Sequence, residues 1–130
     1  MTVSRREFIV YTGAALAARA AGGAALAEGK QMYGLIGKMR AVAGKRDELI
    51  AILVEGISGM PGCLSYVVAQ DPTDADVIWI TEVWESSELH RASLSLPSVQ
   101  DAIAKGRPLI AGFEEHIETV PVGGQGLAPA

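Results

Sequence analysis

The segment 76–84 constrains the fold most, because it is rich in β-branched and aromatic residues and is apolar on both of its faces. Side chains alternate along a strand. Two sets therefore point in opposite directions, namely Ile78, Ile80 and Trp84 against Val77, Trp79 and Val83. A strand that is apolar on both sides needs cover on both sides. The segment thus predicts a sheet that is buried on two faces.

The remaining pattern places this strand in a β-α-β-β-α-β order. Strands are predicted over residues 32–42, 63–70, 76–84 and 110–120, with a turn at 71–74 that makes the second and third strands a hairpin. Helical regions are predicted over 45–58 and from Ser86 or Ser87 to Gly106, with Pro97 in the first turn of a following helix. This order is typical of a ferredoxin-like sandwich, an α+β fold. Its two helical regions cover one sheet face, so the other face predicts a face-to-face homodimer.

Residues 1–27 resemble a bacterial export signal. Ser4-Arg5-Arg6-Glu7-Phe8-Ile9 is similar to the twin-arginine motif, and Ala25-Leu26-Ala27 fits a small-x-small cleavage site. The apolar run 9–18 is too short to span about 30 Å of hydrocarbon. We therefore expect a periplasmic protein that starts near Glu28 and is not stably inserted in the membrane after cleavage. An uncleaved amphipathic tether is the alternative.

Charge and composition narrow the possible partners. The chain has a formal charge of −4, and removal of residues 1–27, with three Arg and one Glu, leaves about −6. An acidic chain without a basic block is not typical of nucleic-acid binding. We expect one domain over residues 28–122 and a flexible tail over 123–130. Cys63 is the single cysteine, so no intrachain disulfide forms, and we expect it to be a buried small side chain.

Metal and nucleotide motifs do not emerge from the sequence. The acidic turn that begins at Asp71 has Ala75 and Asp76 at its fifth and sixth positions, where a calcium loop needs an oxygen ligand and Gly. The chain's 2 histidines, His90 and His116, and Cys63 have no spacing typical of zinc. Val122-Gly123-Gly124-Gln125-Gly126 lacks the strand and helix of a dinucleotide loop. We therefore expect no structural metal and no dinucleotide-binding loop.

Five short motifs together resemble a known family. They are Pro61-Gly62-Cys63-Leu64-Ser65-Tyr66, Glu82-Val83-Trp84-Glu85-Ser86, His90, Pro108-Leu109-Ile110 and Phe113-Glu114. Over residues 32 to about 124 this pattern resembles the antibiotic biosynthesis monooxygenase superfamily, in particular its quinol monooxygenase branch. The resemblance implies a dimeric α+β barrel made of two ferredoxin-like sheets. It also implies oxidation of quinol-like or phenolic substrates by O2 without flavin, haem or metal.

Such chemistry needs a base beside a flat, dry pocket. A hydroquinone reacts with O2 more readily once a phenolic proton leaves, and a histidine suits that step. His90 is the candidate base, since it resembles a frequent histidine of the family; the alternative is an exposed helix histidine. Trp84 is predicted to be a pocket wall, or simply a core residue.

Four further residues are predicted to bind substrate. They are Tyr66, Glu82, Phe113 and His116. Glu82 shares the face of Trp84, where a carboxylate is costly unless paired, and the favoured alternative for it is an ion pair with Arg107 or a lysine. A hydroxyl at the solvent is the alternative for Tyr66. His116 alternates with Phe113, so it is expected on the opposite face, with Glu114 and Glu118 at a solvated edge.

The sequence therefore predicts an exported, dimeric monooxygenase or oxidase with no cofactor, which acts on a small aromatic substrate and O2. A non-catalytic periplasmic binder of small aromatic compounds is the alternative. A haem-degrading monooxygenase is a weaker one, because the Asn and haem-ligating His of that branch correspond here to Gly37 and Leu94. Leucine has no donor atom for iron.

Overall fold

The structure is a computed structural model that describes residues 31–56 and 58–127. Its strands and helices follow the chain as β1 (Tyr33–Ala41), α1 (Arg46–Gly56), β2 (Cys63–Gln70), β3 (Val77–Trp84), α2 (Ser87–Ser93), α3 (Pro97–Gly106) and β4 (Ile110–Thr119). The predicted export signal and the last three residues of the predicted tail lie outside the described residues. Among the described helices, none is long and apolar enough to cross a membrane.

The four strands form one antiparallel sheet in the order β2-β3-β1-β4. The strands next to each other in the chain, β2 and β3, are neighbours, whereas β1 lies between β3 and β4. All helices cover the face that carries Leu35, Ile80 and Trp84. The predicted ferredoxin-like α+β fold is confirmed, with the second helical region divided into α2 and α3.

Local signals explain where the last two helices begin. The Ser86 side chain caps α2 by accepting a hydrogen bond from the Leu89 backbone N–H at 3.2 Å. Pro97 opens α3, where its missing N–H costs no intrahelical hydrogen bond. Before β2, Gly62 has a φ of +82°, and its Cα faces the Leu89 side chain. This glycine lets the chain turn beneath α2 at the point where β2 enters the sheet.

Two groups of buried side chains fill the space between sheet and helices. The first lies under α1 and contains Met39, Ala41, Leu49, Leu53, Ile78, Ile80 and Ile110. The second lies under α2 and α3 and contains Tyr33, Leu35, Met60, Trp84, Val99 and Ile103. Both groups use the face of β1 and β3 that the helices cover, which is where the period-two pattern of β3 placed Ile78, Ile80 and Trp84.

The opposite sheet face, called here the outer face, mixes apolar and charged side chains. Val67 and Ile117 are 51% and 46% exposed on it. The Lys38 ammonium lies 5.3 Å from the centre of the Trp79 ring, and Arg40 pairs with Asp74 at 2.9 Å and with Glu114. In the described chain no helix covers this face, so Val67 and Ile117 remain accessible, although Val77 beside Arg40 is fully buried.

An irregularity in β4 corrects one expectation about its faces. The β1–β4 register shifts between Lys38 and Met39, so that Lys38 pairs with Glu115 whereas Met39 pairs with Phe113. The extra residue, Glu114, contacts Lys38 and Arg40 on the outer face. Alternation restarts across this bulge. The prediction that His116 faces away from Phe113 at a solvated edge is therefore wrong, because both side chains point toward the helices.

Candidate active site

A cavity of about 110 Å³ lies between the covered sheet face and the three helices. All six residues predicted to form a site line it, namely Tyr66, Glu82, Trp84, His90, Phe113 and His116. They come from β2, β3, α2 and β4, so only the folded sheet brings them together. Most of the remaining lining is aliphatic. For scale, an engineered apolar cavity of roughly 150 Å³ binds benzene, so this cavity has the size expected for one aromatic ring.

Gly37 provides part of the room in the cavity. It lies in β1 opposite Ile80 on one side and His116 on the other, at a position where side chains point toward the helices. A Cβ added at Gly37 would meet no atom closer than the Glu115 carbonyl oxygen at 3.9 Å. The missing side chain therefore leaves open space on the cavity floor.

His90 is one of the most buried polar residues of the described chain, with 3% of its surface exposed. Its ring lies 5.0 Å from that of Tyr33 and 5.4 Å from that of Trp84, with the tryptophan in an edge-on geometry. Its Nδ1 atom is buried and has no hydrogen-bond partner among the described residues. The alternative of an exposed helix histidine is therefore wrong.

Glu82 lies beside His90 at the cavity wall. Its Oε1 accepts a hydrogen bond from the Trp84 indole N–H at 2.8 Å and is 3.9 Å from His90 Nε2. Among the described residues, no lysine or arginine lies within ion-pair distance of Glu82. The expected pair with Arg107 or a lysine is wrong, because the neighbour of Glu82 comes from α2, directly after its own strand.

Burial shifts the two neighbouring groups toward their neutral forms. It raises the pKa of Glu82 to about 7, although the hydrogen bond from Trp84 favours the carboxylate. It also lowers the pKa of His90 to about 4, and His116 adds to that effect. At neutral pH the imidazole is therefore uncharged, and Glu82 is the group whose protonation changes. The histidine alone is a weaker base than its ordinary pKa of about 6.5 suggests.

The other polar groups of the site share this apolar environment. Burial and the nearby Glu82 raise the pKa of the Tyr66 phenol well above its ordinary value. They also raise the pKa of the Cys63 thiol, which is half-buried rather than fully buried as expected. Burial lowers the pKa of His116, whereas Glu118 acts in the opposite direction. Tyr66 is half-buried and lines the cavity.

Sequence reasoning missed Tyr33, which packs against His90 from β1 and is fully buried. The register of β1 and β3 places it directly opposite Trp84. The signal that could have found it is its position at the start of a strand that must pair with β3. Within the described residues, no group of three His, Cys, Asp or Glu side chains could hold a metal ion.

The comparisons with known proteins agree with the fold and identify the family. The family model for antibiotic biosynthesis monooxygenases matches residues 32–105. A crystal structure of a protein from Chloroflexus aurantiacus J-10-fl, provisionally described as an antibiotic biosynthesis monooxygenase, is 78% identical. The alignment covers 75% of this chain and 99% of that one, with a TM-score of 0.73. The chain therefore belongs to the antibiotic biosynthesis monooxygenase family.

More distant structures share the fold alone. A protein from Caulobacter crescentus CB15 is 19% identical over 72% of this chain and 92% of its own, with a TM-score of 0.66. One from Bacteroides thetaiotaomicron VPI-5482 is 14% identical over the same shares of the two chains, with a TM-score of 0.64. Both carry the same provisional family description. Among curated proteins, none matches this chain.

The Glu82→Gln substitution is expected to change how stability depends on pH. The pKa of Glu82 is about 7 in the folded protein and about 4.3 in an unfolded chain. The folded state therefore loses stability as the pH rises between those values. Glutamine has no proton to lose. The unfolding free energy of the variant, relative to that of the wild type, should therefore increase by about 3 kcal/mol as the pH rises from about 4.5 to 7.5. Urea unfolding across this range measures the gain.

Two further variants serve as controls for this measurement. Glu85→Gln removes an exposed carboxylate three residues away and should show no such gain. The unfolding free energy of His90→Gln, relative to that of the wild type, should increase as the pH falls from about 6.5 to 4, because burial lowers the pKa of His90. If Glu82→Gln and the wild type keep a constant difference in unfolding free energy, Glu82 is not a buried, protonated carboxyl.

Proposed function

We propose that the protein oxidises a single-ring quinol or phenol with O2, as a monooxygenase or oxidase that needs no cofactor. The family assignment supports an oxidoreductase in general. The observation that carries the specific proposal is the aliphatic, one-ring cavity in which the buried His90 imidazole leaves Nδ1 without a partner among the described residues. In this proposal a phenolic hydroxyl donates to that nitrogen while its ring lies against Trp84 and Phe113, which line the same cavity.

The substrate itself supplies the electrons in this reaction. Loss of a phenolic proton gives an electron-rich phenolate, and a quinol then passes two electrons and two protons to O2, which yields a quinone and hydrogen peroxide. In the oxygenating version, one oxygen atom enters the ring and the other leaves as water, so that a quinol becomes a hydroxyquinone. An apolar cavity favours both by keeping water from the phenolate and from oxygenated intermediates.

His90 is the group proposed to take up the phenolic proton, with Trp84 as a wall of the cavity. Tyr66, Glu82, Phe113 and His116 are the proposed substrate contacts, since each lines the same space. Gly37 lets the ring approach the sheet. In this proposal the imidazole takes up the proton, the aromatic rings orient the substrate, and the glycine in β1 leaves room for the substrate to enter.

The proposal is tested by oxygen consumption with a panel of one-ring quinols. The wild type should consume O2 well above the uncatalysed rate, and His90→Ala should lower kcat by about 10²–10⁴, the range expected for loss of a general base. Gly37→Val should raise KM by filling the cavity without a clash, because the site of the added Cβ is open. Circular dichroism and the melting temperature check that both variants fold.

Two results would contradict this function. If no quinol drives O2 uptake while ligands still raise the melting temperature, the protein is a non-catalytic binder of small aromatic compounds. If His90→Ala folds and keeps the wild-type kcat, the imidazole is not the group that takes up the proton. The yield of hydrogen peroxide per O2 consumed separates simple oxidation from oxygen insertion.

The proposed working form is a homodimer whose two outer faces meet. Ile36, Val67 and Ile117 are apolar side chains of the outer face, and two ferredoxin-like sheets that meet in this way make the α+β barrel that the resemblance implies. The charged pairs of Arg40 lie toward one end of β1, near Asp74 and Glu114. Burial of the exposed Val67 and Ile117 would stabilise the dimer.

Ile117→Glu should convert the dimer to monomers, because it places a carboxylate in the proposed interface. Light scattering coupled to size-exclusion chromatography should give twice the chain mass for the wild type and the single mass for the variant. Val54→Glu is the matched control, since Val54 is 56% exposed on α1, on the other side of the sheet. A wild type that is monomeric, or a dimer that survives Ile117→Glu, contradicts the proposed interface.

The proposed location is the periplasm, reached by the twin-arginine route. The support is the Arg5-Arg6 pair with its following apolar run and Ala25-Leu26-Ala27. Replacing both arginines with lysine should keep the protein in the cytoplasm at its full length, as judged by fractionation and mass spectrometry. Periplasmic protein in undiminished amount from that variant would rule out this route.

A further inference from the structure

Glu82 lies at the centre of the polar groups on the covered sheet face, and this position has no structural explanation in ion pairing. It is directly opposite Tyr66 on β2 and Leu35 on β1. Its single hydrogen-bond donor given by the structure is the Trp84 indole. A largely buried carboxyl without a cation nearby costs folding free energy, so ion pairing does not explain its placement beside the cavity.

His90 connects this carboxyl to the cavity. Its Nε2 is 3.9 Å from Glu82 Oε1, and its Nδ1 is the buried nitrogen that has no hydrogen-bond partner in the described part of the chain. The rings of Tyr33 and Trp84, which are paired neighbours on β1 and β3, both pack against the imidazole. In a neutral imidazole one nitrogen carries the proton and the other accepts. A proton on Nε2, directed at Glu82, leaves Nδ1 as the acceptor.

We propose that Glu82 is the final acceptor of the substrate's phenolic proton, which reaches it through the His90 ring; this rests on the proposed quinol or phenol oxidation. The phenolic O–H bond breaks and its proton binds Nδ1, while the Nε2 proton passes to a carboxylate oxygen of Glu82. The products are a phenolate, a neutral imidazole in its other tautomer and a carboxylic acid, so charge is conserved. The carboxylic acid later returns its proton to the reduced oxygen that leaves as peroxide or water.

The surroundings of Glu82 favour this arrangement over storage of the proton on histidine. The titratable groups on the same side of the sheet are Tyr33 from β1, Tyr66 and Cys63 from β2, His90 from α2, and His116 and Glu118 from β4. None of them is a lysine or arginine. The cavity residues of α1 and α3 are apolar or small, namely Leu49, Leu53, Val99, Ala102, Ile103 and Gly106. An imidazolium would therefore be costly here, whereas a neutral carboxylic acid would not.

The two groups must approach for the transfer to occur. A distance of 3.9 Å is longer than a hydrogen bond, which needs about 2.7–3.2 Å. Catalytic hydrogen bonds are often long without substrate and shorten when it binds. The same oxygen, Glu82 Oε1, accepts from the Trp84 indole and lies nearest to His90 Nε2, so the proposal requires the carboxyl and the imidazole to move closer when substrate binds. Glu82 thus accepts the phenolic proton through His90, in addition to its proposed contact with the substrate as a residue of the cavity wall.

Infrared titration of the full chain without substrate tests the resting state of this carboxyl. The wild type should show a protonated-carboxyl band that disappears with a midpoint near the pKa of Glu82, about 7. Glu82→Gln should lack the band, whereas Glu85→Gln, which removes an exposed carboxylate, should keep it. Absence of the band from the wild type at pH 6 would overturn the proposed proton acceptor, whatever the enzymatic activity.

The second measurement is the pH profile of O2 uptake with 1,4-dihydroxybenzene as the probe. The wild-type rate should rise with pH through a step near 7, where Glu82 becomes able to accept a proton. Glu82→Gln keeps an oxygen for the Trp84 indole, so a purely structural role predicts an unchanged profile. The inference predicts instead that the variant loses the step and about 10²-fold or more of kcat, while Glu85→Gln matches the wild type.

The results of these experiments distinguish the proposed role of Glu82 from the proposed oxidation on which it rests. If the wild type consumes O2 and Glu82→Gln does so at the same rate and with the same pH step, the proposed role of Glu82 is overturned. The proposed oxidation would then still stand. A wild type that is inert toward the probe and toward the wider quinol panel would overturn the proposed oxidation, and the proton path with it. If Glu82→Gln unfolds, Glu82→Asp should keep the band and the pH step with a lower rate.

Discussion

The antiparallel register of β1 between β3 and β4 is the constraint on which the site depends. It aligns Leu35 with Glu82 and with Glu118, and the next pair along aligns Gly37 with Ile80 and with His116. A slip of one residue would turn each of these side chains to the outer face. Only in the observed register does Gly37, the glycine of β1 that faces the helices, lie directly beside Ile80 and His116. The cavity is therefore a consequence of strand pairing.

The polar groups of the site lower the stability of the fold. A largely buried carboxyl and a buried imidazole both have pKa values shifted toward their neutral forms, and they are separated by 3.9 Å rather than joined in a strong ion pair. A structural pair would stabilise the protein more if it were ionised and fully hydrogen-bonded or replaced by apolar residues. Perturbed pKa values beside a cavity are typical of functional sites. The arrangement of Glu82 and His90 is consistent with the proposed transfer of one proton between them.

The fold could be predicted from the sequence because the turn and cap residues and the spacing of apolar residues indicate the same elements along most of the chain. The strand predicted over 63–70 is observed as Cys63–Gln70, and Ser86 and Pro97 begin α2 and α3 as their capping chemistry indicates. Reasoning failed where one residue breaks the period. Glu114 is the extra residue of the β4 bulge, and a bulge leaves no clear mark in a ten-residue strand. The partner of Glu82 was also missed, because the turn after β3, rather than cross-sheet pairing, brings His90 to it.

Under the proposed function, the same apolar cavity would account for both the proton transfer and the protection of its product from water. Removing water raises the pKa of Glu82 toward neutrality and lowers that of His90, which prepares a base at one end and a neutral conductor of protons beside it. Removing water also strengthens the field that each charge exerts inside the site. In the proposed oxidation, solvent would not stabilise a phenolate formed in the cavity, and transfer of electrons to O2 would remove its charge. The apolar lining would thus promote the proposed oxidation through the same burial that makes Glu82 unfavourable for folding.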